Sequence, residues 1–306
     1  MDLSKIERFE QLSFAQWVAL GNRIGGLESV IGTLQGEFEV ALKRVVNILF
    51  DKHGRRIPKG LSANVCDANR EFYLRQPDLL TETHYVNRMM RLRDMLGVNM
   101  NISAEEFKNE TEHLLRLLRG DVLTANLTNG VYLPVVLPKL QHNDLGVELE
   151  RCLAAVGKSY VGMFPEREFR NRREGALDGA VSIVPGSRHK QLIKRMKKGP
   201  VIGLYFPSSL QGFSVDAARE QIASLPKGFI LSGLDIVIAM IMYPDVLVHD
   251  WGVRGFDLVA LSWQSAEYSF FFAVGNDLPY FDNTYNCVDA YRGDSGGLLF
   301  VDSEVL

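Results

Sequence analysis

Apolar side chains recur every three or four residues through most of the first 120 positions, which is the spacing of amphipathic helices. The clearest case is segment 103–120, where Ser103 and Glu106 form a capping box and Gly120 marks the end. Further helices are predicted in SKIERFEQLSFAQWVALGNRI, EFEVALKRVVNILF and TETHYVNRMMRLRDMLG. We therefore predict a helical N-terminal region, residues 1–125.

Beyond residue 125, short β-branched and aromatic runs alternate with helical segments. Strands are predicted at 131–137, 180–184 and 201–206, and in FDLVALSW, YSFFFAV and LLFV. This alternation predicts an α+β or α/β fold, with a helical N-terminal region followed by a mixed β-sheet with flanking helices. Division into domains 1–125 and 126–306 is one interpretation. The other is a helical layer packed on the same core.

The composition is that of an ordinary soluble protein, with 46% hydrophobic and 23% charged residues in a chain of 306. Cys66, Cys152 and Cys287 form no CxxC pair, which favours free thiols in a reducing compartment. The start has no secretory signal pattern, and the most apolar run, IVIAMIMY, is too short to span a bilayer. We expect a cytoplasmic protein without a membrane partner.

Charge is unevenly distributed along the chain, although the net charge is only −3. Residues 158–199 contain 11 basic and 4 acidic side chains, whereas residues 229–306 contain 2 basic and 11 acidic ones. Such asymmetry indicates either an anionic partner at the basic segment or a contact between the two segments. That contact would lie within one chain or between subunits of a homo-oligomer.

The letters GDSGG around Ser295 resemble the nucleophile motif of trypsin-like serine proteases. The resemblance covers five residues only. That family has an early histidine next to a cysteine and a long segment after the serine, and the helical first third does not suit its double β-barrel. We therefore interpret GDSGG as a glycine turn before the LLFV strand, and assign no catalytic residue.

The best-supported ligand site follows the strand at 180–184. A turn there leads into a helix, and a helix N-terminus offers unpaired N–H groups and a positive dipole end to an anion. The loop after strand 201–206 has the same layout, and the two loops would converge if the strands were adjacent and parallel. The predicted anion-binding residues are Gly186, Ser187, Arg188, His189, Lys190, Ser208, Ser209 and Ser214.

The same segment also suggests nucleic acid as a partner. The predicted basic patch comprises Arg167, Arg170, Arg172, Arg173, Lys194, Arg195, Lys197 and Lys198. Phe164 and Phe169 lie between the arginines and can stack on bases. The pI of 6.1 and the lack of a nucleic-acid fold signature argue against this reading. In the alternative, the aromatic rings are core residues and the arginines pair with Glu166, Glu168 and Glu174.

No cofactor can be identified and no metal ligand assigned, because no HExxH, paired CxxC or nucleotide fingerprint occurs. The aspartates of NDLPYFDNTYNCVDAYRGD could hold calcium or magnesium, but without the EF-hand order they predict an acidic surface loop.

The leading hypothesis is non-catalytic binding of an anionic partner, a phosphorylated small molecule or nucleic acid, through the central basic segment. One alternative is an enzyme whose active site lies in the loops after strands 180–184 and 201–206. The other is a self-assembling structural protein.

Overall fold

A computed structural model describes residues 12–39, 48–68, 74–78, 81–248, 255–275, 278–285 and 287–304. The chain forms two compact units, Met1–Val46 and Asn47–Leu306. The boundary between them falls at residue 46, whereas the sequence interpretation places a division at residue 125. The fold class is α+β, with helices and mixed sheets, as predicted.

The described helices follow the predicted apolar patterns closely from residue 81 onward. Helix α4 begins as predicted, because Ser103 Oγ accepts from the Glu106 N–H and the Glu106 carboxylate accepts from the Ser103 N–H. The bounds are α1 (Phe14–Arg23), α2 (Gly26–Leu34), α3 (Glu82–Leu96), α4 (Ala104–Gly120), α5 (Leu145–Met163), α6 (His189–Met196), α7 (Val215–Gln221), α8 (Leu234–Met242) and α9 (Pro244–Leu247).

The first unit differs from the predicted pattern. Helix α1 begins only after Ser13, whose side chain and Gln16 form a second capping box, so the longer helix predicted here is not continuous. Helix α2 was not predicted. Residues 1–11 and 40–47, which carry the rest of the two predicted N-terminal helices, lie outside the described residues.

Ten strands are described, and most coincide with predicted ones. They are β1 (Leu133–Leu137), β2 (Arg170–Asn171), β3 (Val181–Ile183), β4 (Val201–Phe206), β5 (Phe229–Leu231), β6 (Phe256–Leu258), β7 (Leu261–Trp263), β8 (Ser269–Gly275), β9 (Leu278–Thr284) and β10 (Leu298–Phe300). The central sheet has the order β1-β4-β10-β5 and is antiparallel throughout. A second sheet has the order β2-β9-β8-β6, and β3 pairs with β7.

Helices α3 and α4, which precede residue 125, share a core with the strands that follow it. Leu92 of α3 and Phe107 of α4 belong to the same buried cluster as Val135 of β1 and Ile238 of α8. Every residue of α8 is buried, and this helix contacts α3, α5 and β1. From residue 81 onward the helices therefore form a layer on the sheet.

Two further sequence expectations can be compared with the described residues. All three cysteines are free thiols, as predicted. Within the described ranges, no helix is long and apolar enough to cross a bilayer.

Candidate functional site

The GDSGG segment lies at the edge of the central sheet where β4 and β5 end. Leu298, the first residue of β10, is in register with Phe206 at the end of β4 and with Leu231 at the end of β5. The residues that precede Leu298 therefore lie next to the loops that follow β4 and β5. This is the kind of sheet edge at which sequence reasoning places ligands.

Ser295 is a structural link at this edge. It is fully buried, and its Oγ accepts a hydrogen bond of 3.4 Å from the Gly297 N–H. Its backbone accepts from the Asp257 N–H and donates to the Gly255 carbonyl, each at 3.0 Å. Gly297 has a φ of 57°, and β10 begins at the next residue. The chain turns at 291–294, where the Asp294 N–H donates to the Tyr291 carbonyl, and Ser295 forms β-bridges with Gln211 and Phe256. The positive φ expected of the glycines before the LLFV strand occurs at Gly297.

Next to this link lies a pocket of about 200 Å³. Its walls combine aromatic rings with carboxyl groups from the β6, β8 and GDSGG regions. The lining residues that matter for its chemistry are Phe213, Phe271 and Tyr291 among the aromatic ones, and Asp257, Asp289 and Asp294 among the acidic ones.

Asp257 is the carboxyl group in the pocket whose pKa is shifted to a large extent. It lies on β6 with 9% of its surface exposed, and burial raises the pKa of its carboxyl to about 8. The negative charge of Asp294 raises this pKa further, whereas the positive charge of Arg219 lowers it. Among the described residues, which exclude 249–254 and 286, no group donates a hydrogen bond to the Asp257 carboxyl. A buried acid with no donor holds its own proton at neutral pH.

Asp294 is the second carboxyl of the pair and comes from the GDSGG motif itself. It is half-buried, and burial raises its pKa, while a hydrogen bond of 3.1 Å from the Gly255 N–H to Oδ1 acts in the opposite direction. A β-carbon on residue 255 would lie 2.6 Å from Oδ1 of Asp294. Glycine at 255 therefore lets the backbone approach and orient this carboxylate.

Two nitrogens of Arg219, the nearby cation on α7, donate to the protein backbone, whereas its Nη2 is buried without a hydrogen-bond partner among the described residues. Its Nε donates to the Val259 carbonyl at 3.1 Å and its Nη1 to the Ala266 carbonyl at 2.7 Å. Asp216 lies 3.6 Å from the same Nη1. Because these groups hold it, Arg219 lowers the pKa of Asp257 from a distance but forms no ion pair with it.

The predicted anion-binding residues after β3 are mostly used in holding the fold together. Ser187 Oγ donates to the Val184 carbonyl at 2.7 Å. The Arg188 guanidinium donates to four backbone carbonyls in residues 222–229. His189 is fully buried, and burial lowers its pKa to about 4. Gly186 and Lys190 are exposed.

The predicted residues after β4 are placed similarly. Ser209 Oγ donates to the Phe206 carbonyl, and Ser214 caps α7 by accepting from the Ala217 N–H. Ser208 lines a separate cavity of about 170 Å³. Strands β3 and β4 lie in different sheets, so they are not the adjacent parallel pair on which convergence of the two loops depended.

The predicted basic patch falls into an arginine half and a lysine half. Arg172 and Arg173 both pair with Asp282, at 3.5 and 2.6 Å. Arg167 stacks on the Phe164 ring at 4.7 Å, and Arg170 lies 4.0 Å from Glu168. These contacts resemble the alternative in which the arginines are paired, although the acidic partner of Arg172 and Arg173 is Asp282 and not a nearby glutamate.

The lysine half lies on the outer face of α6, at Lys194 and Arg195, and directly after the helix, at Lys197 and Lys198; this surface, together with Lys190, is called the lysine face of α6. Leu192, Ile193 and Met196 are buried beneath the helix. In the parts of the chain that the structure describes, none of the salt bridges involves the lysines of this segment. The exposed ones are Lys190, Lys194, Lys197 and Lys198, and Arg195 is half-buried.

Comparisons with protein-family models, with curated proteins and with solved structures found no match for this chain. The class that can be stated is an α+β protein with a carboxyl-lined pocket at the edge of its central sheet.

Sequence reasoning missed both pocket carboxyls. Asp257 was read as part of the strand FDLVALSW, and Asp294 as a turn former. The available signal was an isolated aspartate in an otherwise apolar strand, since a buried ionisable group is rare without a partner or a function.

Proposed function

We propose that the pocket binds a small cationic ligand bearing an amine, with Asp257 and Asp294 as its charged partners. The observation that supports this most strongly is the Asp257 carboxyl, which is buried, lines a pocket of about 200 Å³ together with Asp294, and receives no hydrogen bond from the described residues. A bound cation would compensate for the cost of ionising it.

The surroundings of the pair favour a positive charge over a negative one. A third carboxyl, Asp289, lies on the same pocket wall, and residues 229–306 carry 11 acidic and 2 basic side chains. The rings of Phe213, Phe271 and Tyr291 line the same cavity, and aromatic rings attract ammonium groups. An anion would be repelled by those carboxyl groups of the pocket that are ionised.

Proton release would be the signature of this binding mode. In the free protein the pKa of Asp257 is about 8, so its carboxyl carries a proton at pH 7. An ammonium ion favours the ionised form, so binding expels about 0.9 proton at pH 7. The affinity therefore rises about ninefold from pH 6 to 7 and about fivefold from pH 7 to 8.

Isothermal titration calorimetry with 2-phenylethylamine, and with the isosteric alcohol 2-phenylethanol, tests the proposal. Titration in two buffers of different ionisation enthalpy counts the protons released. We expect the amine to bind and the alcohol not to bind. Asp257→Asn should weaken amine binding at least tenfold and abolish proton release, and Asp294→Asn should weaken it similarly.

Asp178→Asn is the matched control, because Asp178 is an exposed aspartate outside the pocket. It should bind as the wild type does. Equal binding of amine and alcohol, or wild-type affinity in the Asp257→Asn variant, would show that the carboxyl pair does not recognise a cation.

The lysine face of α6 supports a second candidate function, binding of a polyanion such as a nucleic acid. Lys190 and Lys194 lie on α6, Lys197 and Lys198 follow its last residue, and these four exposed lysines take part in none of the described salt bridges. Fluorescence anisotropy with a labelled 20-base-pair duplex tests it. The affinity should fall with a log–log salt slope of about 0.9 per phosphate contacted.

A variant with Lys190, Lys194, Lys197 and Lys198 all changed to Gln should lose most of that affinity and salt slope. The control changes the same number of lysines elsewhere to Gln, at Lys52, Lys59, Lys108 and Lys158. Equal loss in both variants would assign the binding to net charge alone. The enzymatic and self-assembly alternatives stay predictions that no present observation favours.

A further inference from the structure

Two potential metal ligands lie on one face of α4. Glu110 and His113 are three residues apart, so their side chains project from the same side of the helix. The third group, Asp302, follows β10 and is 189 residues from His113 in the chain. One ligand atom from each of the three lies within 4.8 Å of the others.

The distances suit a shared metal ion. His113 Nε2 and Asp302 Oδ2 are 3.1 Å apart. Two ligands bonded to one zinc ion at ordinary lengths stand about 3.0–3.4 Å apart, from octahedral to tetrahedral angles. This pair therefore already has the spacing of neighbouring ligands. Glu110 is half-exposed, so a change of rotamer can bring its carboxylate closer.

Asp302 is also oriented for this role by its surroundings. Its Oδ1 accepts a hydrogen bond of 2.9 Å from the Glu304 N–H, and its Oδ2 is directed to His113. In metal sites, a hydrogen bond to the carboxylate from a neighbouring group, such as the Glu304 N–H here, fixes the orientation of the ligand. The side chain is only 17% exposed, whereas that of His113 is 40% exposed, so the cluster is open to solvent on the histidine side.

We propose that Glu110, His113 and Asp302 bind one divalent transition-metal ion, with Zn²⁺ the best fit. One imidazole nitrogen and two carboxylates are zinc ligands, whereas Mg²⁺ and Ca²⁺ prefer oxygen alone. Three protein ligands leave the fourth position to water. The ion would link α4 to the segment after β10 and so stabilise the folded chain.

Isothermal titration calorimetry with zinc chloride at pH 7.5, with magnesium chloride as the comparison, tests this site on the full chain. We expect one zinc ion per chain and no binding of magnesium. His113→Ala, Asp302→Asn and Glu110→Gln should each lower the zinc affinity at least tenfold. His142→Ala removes another exposed histidine and should leave the affinity unchanged.

Thermal denaturation gives a second measurement and uses only the wild type and the His113→Ala variant. Excess zinc should raise the melting temperature of the wild type and not that of His113→Ala. Absence of stoichiometric zinc binding at 0.1 mM would overturn the proposal, and so would zinc binding that survives all three substitutions. Zinc binding lost with His113 and Asp302 but not with Glu110 would overturn the three-ligand site. The pocket proposal uses none of these residues, so each stands or falls alone.

Discussion

Asp257→Asn gives the sharpest test of the pocket, because it replaces a buried acid by a neutral group of the same shape. Burial raises the pKa of Asp257 from 3.8 to about 8 in the folded chain. Between pH 4 and 8 the folded protein keeps a proton that the unfolded chain has released. The free energy of unfolding of the wild type should therefore fall as the pH rises through this interval.

The size of the effect follows from the two pKa values. Each pH unit in the interval costs about 1.4 kcal/mol, which sets an upper limit of about 6 kcal/mol over the full range. Water that enters a pocket of about 200 Å³ solvates the charged form and reduces this penalty. We expect about half of the limit, ~3 kcal/mol. The amide introduced by Asp257→Asn does not titrate in this range, so the free energy of unfolding of the variant should not fall with pH for this reason.

Urea denaturation at pH 5, 6, 7 and 8.5, followed by tryptophan fluorescence, measures the difference. The stability of the variant relative to that of the wild type should increase by about 2 kcal/mol between pH 5 and pH 8.5, which is half of the part of the limit that falls in this interval. Asp178→Asn removes a carboxylate from an exposed position outside the pocket and should change stability by less than about 0.5 kcal/mol. A difference between Asp257→Asn and the wild type that does not vary with pH would refute the reasoning.

Three further predictions concern the fold around the site, each measured by urea denaturation. Arg188→Met should cost about 3 kcal/mol or more, because it leaves the carbonyls that Arg188 holds in residues 222–229 without their donor; a loss below about 1 kcal/mol would contradict this. Gly146→Ala should cost about 3 kcal/mol despite the helix preference of alanine, because the new β-carbon would lie 1.7 Å from the Leu177 carbonyl oxygen; unchanged stability would mean that this contact relaxes freely. Ser103→Ala should cost about 1 kcal/mol through loss of the α4 cap, and Ser103→Asp should restore most of it.

Local chemistry predicted those elements whose causes lie within a few residues. The capping box at Ser103, the apolar spacing of α3 and the β-branched and aromatic run of β4 are local signals, and each formed where expected. The positive φ of Gly297 directly before β10 is another, because glycine adopts this backbone conformation without steric cost. Helix α2 escaped prediction because its glycines weaken the helical pattern.

The residues of the predicted anion site make contacts that local reasoning does not reveal. A helix N-terminus with basic residues suggests an anion, yet the Arg188 side chain turns to carbonyls from residues 222–229. Arg188 adopts a left-handed φ of 63°, which is unusual for a residue other than glycine. No feature of the surrounding sequence reveals that partner, because it lies more than 30 residues away.

Residue order alone was enough to predict the fold class, the positions of most helices and strands, and the separation of charge along the chain. Only the tertiary structure shows which charged side chains lie next to one another. Asp257 and Asp294 share a pocket because Ser295 links β6 to the start of β10, and Asp302 reaches His113 across 189 residues. The physical reason is that backbone preferences act over a few residues, whereas burial and charge pairing depend on contacts between distant segments that form only on folding.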